Sequence, residues 1–288
     1  MQIGIMAKTF ARPTLEETLG AVAAHGIHCV QFSLTCTNVA LVASNQWHNP
    51  DMPDHIAPDL CDRIRRAMDA HKITMSAVSG TFNMIAPDPQ KRRQGLKRLR
   101  ALASVCHRLG TSVITLCTGT RDPESMWRRH PDNDSPEAWD DLVASMHEAV
   151  RIAEEHKVTL AFEPEVSNVV DSAAKGRRLL DEIRSPCLKG VMDPANIFHK
   201  GELPRMREII AEAFTLLGGD IVLAHAKDLD HDGEAGHVAA GKGRLDYDQY
   251  LSLLRKAAPD IPLILHGLSE SQVDGCVAFL KGRMAVTL

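Results

Sequence analysis

The chain has no Cys-x-x-Cys pair, no long apolar run, no low-complexity linker and no surplus of positive charge. Each absence closes off a class of protein. The seven cysteines (Cys29, Cys36, Cys61, Cys106, Cys117, Cys187 and Cys276) are odd in number and scattered. That argues against a disulfide framework and against a thiolate zinc site, and it makes a reducing, cytoplasmic compartment the expectation. The opening MQIGIMAKTF is too short an apolar run for a signal peptide. No apolar stretch approaches the roughly 18 residues that a membrane crossing takes, so no membrane partner is expected. A net charge of −4 offers no electrostatic footprint for nucleic acid. No G-x-G-x-x-G follows the first apolar run, which disfavours a dinucleotide cofactor.

What the chain does have is alternation. Its 288 residues are 44% hydrophobic and 24% charged, enough for one large core. Eight short β-branched or apolar runs recur: Gln2–Met6, His28–Ser33, Thr74–Ser79, Ser112–Cys117, Thr159–Glu163, Lys189–Asp193, Ile221–His225 and Pro262–His266. Stretches with helical start and stop signals follow them. Leu60, Ile64 and Met68 keep helical spacing, Gly26 and Gly110 mark C-termini, Ser135-Pro136-Glu137 opens a helix, and Ser269-Glu270-Ser271-Gln272 reads as a capping box. Strands alternating with helices predict a parallel sheet. Six such units would suit an open, doubly wound sheet, whereas eight favour closure. The expected fold is α/β: a single (β/α)₈ TIM barrel over residues 1–288, with outer helices and an active face at the C-terminal ends of the strands. The longest irregular segments, Thr35–Pro58 and Thr118–Asp134, both follow a strand and so fall on that face.

Three consecutive strands end in a metal-ligating residue type: Glu163 in LAFEPE, Asp193 in GVMD and His225 in IVLAHAKD. A buried carboxylate is costly unless it is paired or metal-bound. Taken singly, each side chain could close a local hydrogen bond or ion pair. Together they predict a divalent cation at the barrel mouth, with Mn²⁺, Mg²⁺, Co²⁺ or Zn²⁺ favoured over copper.

Through LAFEPE, GVMDPANIF, LAHAKD and GKGRLDY the chain resembles the xylose-isomerase-like TIM-barrel superfamily, in its sugar phosphate isomerase/epimerase branch, over essentially its whole length. The resemblance implies a metal held by Glu, Asp, His and a final Glu from the ends of the last four strands. The first three positions fall on Glu163, Asp193 and His225. The fourth does not: IPLILHGLSE ends its strand in His266. That histidine is either a fourth ligand or the second acid/base. Glu165, just beyond Glu163, is another candidate base. Glu270 would have to reach back from a helix start, where capping is its more natural role. Relatives often carry a histidine three residues after the aspartate; here Asn196 stands there and His199 follows. The strand ends at Gly80, Cys117 and Thr118 lack the extra histidines of a three-metal DNA-cleaving centre, so endonuclease IV chemistry is disfavoured.

The fourth loop, CTGTRDPESMWRRHPDN, reads as a substrate wall, with Arg121 near the strand end and Trp127, Arg128, Arg129 and His130 beyond. Asn83 in SGTFNMIAPD is a candidate for a substrate hydroxyl, or else turn chemistry. Trp47 and His48 would cover the same mouth. Lys227 is expected either to stabilise developing negative charge or to pair with a carboxylate. His237, Lys242 and Arg244 would meet an anionic substrate group.

The resulting expectation is a metal-dependent isomerase or epimerase of a small sugar, sugar acid or sugar phosphate. The ion would chelate a carbonyl and its neighbouring hydroxyl and hold an enediolate. Glu163 would be one acid/base, and His266, Glu165 or a water the other. A lyase on a keto-sugar, either dehydratase or decarboxylase, uses the same site with one base. A non-catalytic sugar-binding barrel is the third reading. The partner is a small carbohydrate, and the resemblance also implies a homo-oligomer.

Overall fold

The computed structural model describes residues 1–37 and 52–286, and Trp47 and His48 lie outside them. Nine strands form among the described residues: β1 (Gln2–Met6), β2 (Cys29–Phe32), β3 (Thr74–Ser79), β4 (Val113–Cys117), β5 (Thr159–Glu163), β6 (Leu188–Met192), β7 (Ile221–Asp228), β8 (Val238–Ala239) and β9 (Pro262–Leu265). From β1 to β7 each strand pairs in parallel with the next. β7 then pairs with β9, and β9 returns to β1 with Gln2 opposite Pro262, which closes the cylinder. The short β8 lies outside it, antiparallel to the end of β7.

Eight α-helices among the described residues surround the barrel: α1 (Leu15–Ala24), α2 (Pro58–Ala70), α3 (Pro89–Leu109), α4 (Pro136–His156), α5 (Ala173–Ile183), α6 (Met206–Leu217), α7 (Tyr247–Ala257) and α8 (Val273–Val286). The (β/α)₈ expectation therefore holds. The expected caps are present too: Thr14 and Glu17 form a capping box, Ser135 accepts from Ala138 N–H, and Gly110 closes α3 at a left-handed φ of 101°. β7 runs three residues past the expected His225, because Lys227 and Asp228 gain β8 as a partner. No helix among the described residues is long and apolar enough to cross a membrane.

Two apolar cores hold the fold. The large one lies between barrel and helices, with Phe32, Phe162, Phe198 and Tyr250 among its fully buried members. The smaller comprises Met6, Cys29, Ala77, Ala161, Val191, Leu223 and Ile264, one from each of seven barrel strands, with Val113 of β4 packed on it. Strand side chains alternate between faces, so this second set faces inward, with Met6, paired with Gln31, one pleat above the rest. Many of its members are small, as the narrow interior of an eight-stranded barrel demands.

Candidate metal centre

On seven of the eight barrel strands a step of two residues toward the C-terminal end leads from that apolar floor to the next inward layer, while Met6 of β1 is already level with Gln31 in the upper one. The step from Cys29 reaches Gln31, from Ala77 Ser79, from Val113 Thr115, from Ala161 Glu163, from Val191 Asp193, from Leu223 His225 and from Ile264 His266. Parallel strands present all these ends on one face. The site is thus a polar layer laid directly on an apolar one, and period-two geometry brings the four predicted ligand positions together.

Asp193, His225 and His266 each offer a ligand atom, and these atoms lie within 4.8 Å of one another. Asp193 Oδ2, His225 Nδ1 and His266 Nδ1 are buried and make no aligned hydrogen bond. Asp193 Oδ2 has charge partners instead, Lys227 Nζ at 3.1 Å and His225 Nδ1 at 3.3 Å. Glu163 stands beside this trio, its Oε1 3.4 Å from His225 Nδ1. Buried polar atoms normally find partners. Of the three, His266 Nδ1 has no hydrogen-bond partner among the described residues, while Asp193 Oδ2 and His225 Nδ1 face each other and other charges. Two imidazoles with two carboxylates gathered this closely are a donor set that fits a divalent cation.

The surrounding groups tune this cluster. Burial would raise the Asp193 carboxyl, but Lys227 and His225 override it and hold Asp193 well below the usual carboxylate range. Burial would lower His225, yet Glu163 and Asp193 push it up to about 9. His266 goes the other way: burial, Lys227 and His225 hold its ring well below the usual histidine value. Glu165, buried and next to Glu163, is raised to about 7. Lys227 is raised despite its burial by Asp193, Glu163 and Glu165. Of the two expectations for Lys227, the structure provides the pairing, with Asp193. Gly267, at φ 69°, makes room for its stem, since a Cβ there would meet Lys227 Cδ at 3.0 Å.

The other predicted residues divide into two groups. Asn196 joins the site: its Nδ2 donates to Glu163 Oε1 at 2.5 Å and its Oδ1 accepts from Gly236 N–H at 2.8 Å, so it fixes the carboxylate and the seventh loop at once. His199, at the rim, is 3.9 Å from Asp171 Oδ2. Arg244 is exposed on the seventh loop and donates its backbone N–H to Leu229. Arg121 is spent on architecture: its guanidinium bonds the carbonyls of Ile85 and Glu137 and pairs with Asp141 at 2.7 Å. The Asn83 amide is likewise taken up by the Thr120 backbone, donating to its oxygen and accepting from its N–H. Arg128 pairs with Asp122 and Glu124, and Arg129 with Asp134 and Asp171. Arg12 forks Glu270, which therefore does not reach back into the mouth. Trp127 is 55% exposed and lines a separate pocket of about 600 Å³, with Phe82, Lys91 and Arg98 among its other walls.

Two contributors went unpredicted. Gln31 Oε1 lies 2.9 Å from His225 Nε2, while its Nε2 donates to Thr115 Oγ1 at 3.1 Å. Its sequence signal was a lone amide inside a barrel strand. Asp228 accepts four backbone N–H groups: Leu229 and Leu245 on Oδ1, Gly241 and Gly243 on Oδ2. GKGRLDY is thus the wrapping of that carboxylate, with Tyr247 Oη and Tyr250 Oη donating to the carbonyls of Lys227 and His225.

Solved structures share this architecture. A D-tagatose 3-epimerase-like protein superposes with a TM-score of 0.76 at 14% identity, over 100% of this chain and 98% of its own. A probable 3-DHS dehydratase from Bacillus anthracis gives 0.72 at 12%, over 98% and 99%. The IOLI protein, solved with a zinc atom, gives 0.71 at 15%, over 100% and 98%. At such identities the likeness carries the fold alone. No curated protein matches the chain in sequence. The sequence profile of the xylose isomerase-like TIM barrel family, however, matches residues 19–272. With most of its length matched, the chain belongs to that family.

Proposed function

We propose that the chain is a metal-dependent isomerase or epimerase of a small sugar, sugar acid or sugar phosphate. The observation that carries this is the gathering of ligand atoms from Asp193, His225 and His266 within 4.8 Å of one another, beside Glu163 at the barrel mouth. Glu163, Asp193, His225 and His266 would hold the ion, and two imidazoles in the set favour Zn²⁺, Co²⁺ or Mn²⁺ over Mg²⁺. Such an ion supplies Lewis acidity toward a carbonyl and the hydroxyl next to it.

The protein's own groups do the rest. Glu163, kept in place by Asn196, takes the proton from the carbon between those two oxygens. Glu165, raised to about 7, is poised to give or take a proton near neutrality. It thereby replaces, as second proton carrier, the glutamate that relatives carry where this chain has His266. The Lys227 ammonium faces negative charge that develops on the substrate. A small carbohydrate partner follows from this chemistry, and the epimerase-like and dehydratase neighbours support it.

A lyase is the second reading, favoured by that same His266, because elimination runs with a single base. Product analysis in D₂O separates the two. A panel of ketoses, keto-acids and their phosphates is incubated with Mn²⁺-, Co²⁺- or Zn²⁺-loaded protein. Isomerisation gives a product of unchanged composition carrying deuterium at one carbon, lost in Glu163→Gln. Release of water or carbon dioxide assigns the lyase. Absence of both exchange and release with every ion and substrate class overturns the two readings.

A further inference from the structure

The loop after β7 carries a second set of ligand-type side chains that the barrel site does not use. Asp230 Oδ1 lies 2.5 Å from His231 Nδ1 and 2.7 Å from His237 Nε2. On the other side, Glu234 Oε1 lies 2.8 Å from His231 Nε2 and 3.6 Å from His237 Nδ1. The two imidazole centroids are 4.3 Å apart. One ligand atom from each of Asp230, His231 and His237 lies within 4.8 Å of the others.

This arrangement is not a loose surface encounter, because the backbone beneath it is fastened at several points. Asp232 accepts from Leu203 N–H, Gly233 N–H bonds Phe198 O, and Gly236 N–H bonds Asn196 Oδ1. His237 N–H bonds Asp228 O, after which the chain enters β8. Gly233, at φ 94°, supplies the reversal that returns His237 over His231. The loop frame is therefore set, and the four side chains project from it toward solvent. Two imidazoles and two carboxylates thus meet on one small patch of the loop, and a divalent ion would join them through one charge shared by all the donors, with water completing its shell.

We propose that Asp230, His231 and His237, with Glu234 alongside, form a second divalent-metal site of the zinc type on the solvent side of the seventh loop. Mixed imidazole and carboxylate donors suit Zn²⁺ and its neighbours over Mg²⁺ or Ca²⁺. An ion there clips the two ends of the segment together. Gly236 in that segment holds Asn196, and Asn196 holds Glu163, so the clip stiffens a chain of contacts leading to the barrel mouth.

The test is the stoichiometry of Zn²⁺ bound by untagged protein at equilibrium, wild type against the double variant His231→Ala/His237→Ala. These side chains are exposed, so the variant is expected to fold, which its melting temperature checks. The variant should bind one equivalent fewer than wild type, whatever the barrel site holds. Added Zn²⁺ should also slow amide exchange at 233–236 in wild type alone. Asp230→Asn should weaken the loop equivalent about tenfold or more. Equal stoichiometries in wild type and double variant overturn the proposal.

Discussion

The Oε1 of Gln31 lies 2.9 Å from His225 Nε2, across the barrel interior and 194 residues away in the chain. With its amide nitrogen committed to Thr115 Oγ1, Gln31 faces the ring with its oxygen, so Nε2 carries the hydrogen and Nδ1 faces Asp193 and Glu163. Gln31→Met removes the acceptor at nearly the same length. Metal affinity should fall about 10- to 100-fold, read by chelator competition, with a stability change near 1 kcal/mol.

pH should act through the same ring. His225 is raised to about 9 from its ordinary 6.5 in the metal-free protein. Its contribution to folding is therefore fully present below about pH 6.5 and lost as pH rises through 9. Asp193 is depressed, so its contribution is present above the ordinary carboxylate range and lost in acid. The melting temperature of metal-free protein should fall at both ends, and binding of an ion should release a proton near neutral pH. Calorimetry in buffers of different ionisation enthalpy measures that release; no proton released would remove Nδ1 of His225 from the ligand set.

Lys227→Met leaves Asp193 without its 3.1 Å ammonium partner. The metal-free variant should lose stability, though less than the roughly 3–5 kcal/mol of a wholly uncompensated buried charge, because His225 Nδ1 still stands 3.3 Å from Asp193 Oδ2. A divalent ion should restore much of it. Turnover should drop by about 10²–10³ with the ion still bound, if Lys227 faces charge developing on the substrate. Melting curves with and without metal, together with kcat, separate the two roles.

Asp228→Ala would strand four backbone N–H groups and should cost more than about 3 kcal/mol. Gly243→Ala should also destabilise, by about 1–3 kcal/mol, because its Cβ would collide with Asp228 Oδ1 and Leu229 O. Urea titration reads both. A neutral result for Asp228→Ala would mean the seventh loop does not depend on that carboxylate.

Strand ends are legible because an apolar run stops where a strand leaves the core. Glu163, Asp193 and His225 are read in that way, and His266 through the fourth ligand position that the family resemblance implies. Side-chain commitments are not legible. Arg121 sits beside a strand end, yet its guanidinium answers Asp141, a residue of α4. Asn83 lies in a loop on the catalytic face, yet its amide answers the Thr120 backbone. Gln31 and Asp228 matter through partners that only barrel closure and the loop fold bring near. Spacing within one strand carries no record of such meetings.

The division of the barrel interior into an oily floor and a polar storey above it separates two burdens. Cys29, Ala77, Ala161, Val191, Leu223 and Ile264 hold the staves of the cylinder together. The polar side chains one pleat higher carry the charges and the candidate donors, so a change of donor at residue 266 falls on the upper storey, beyond Ile264, and leaves the apolar contacts beneath it in place.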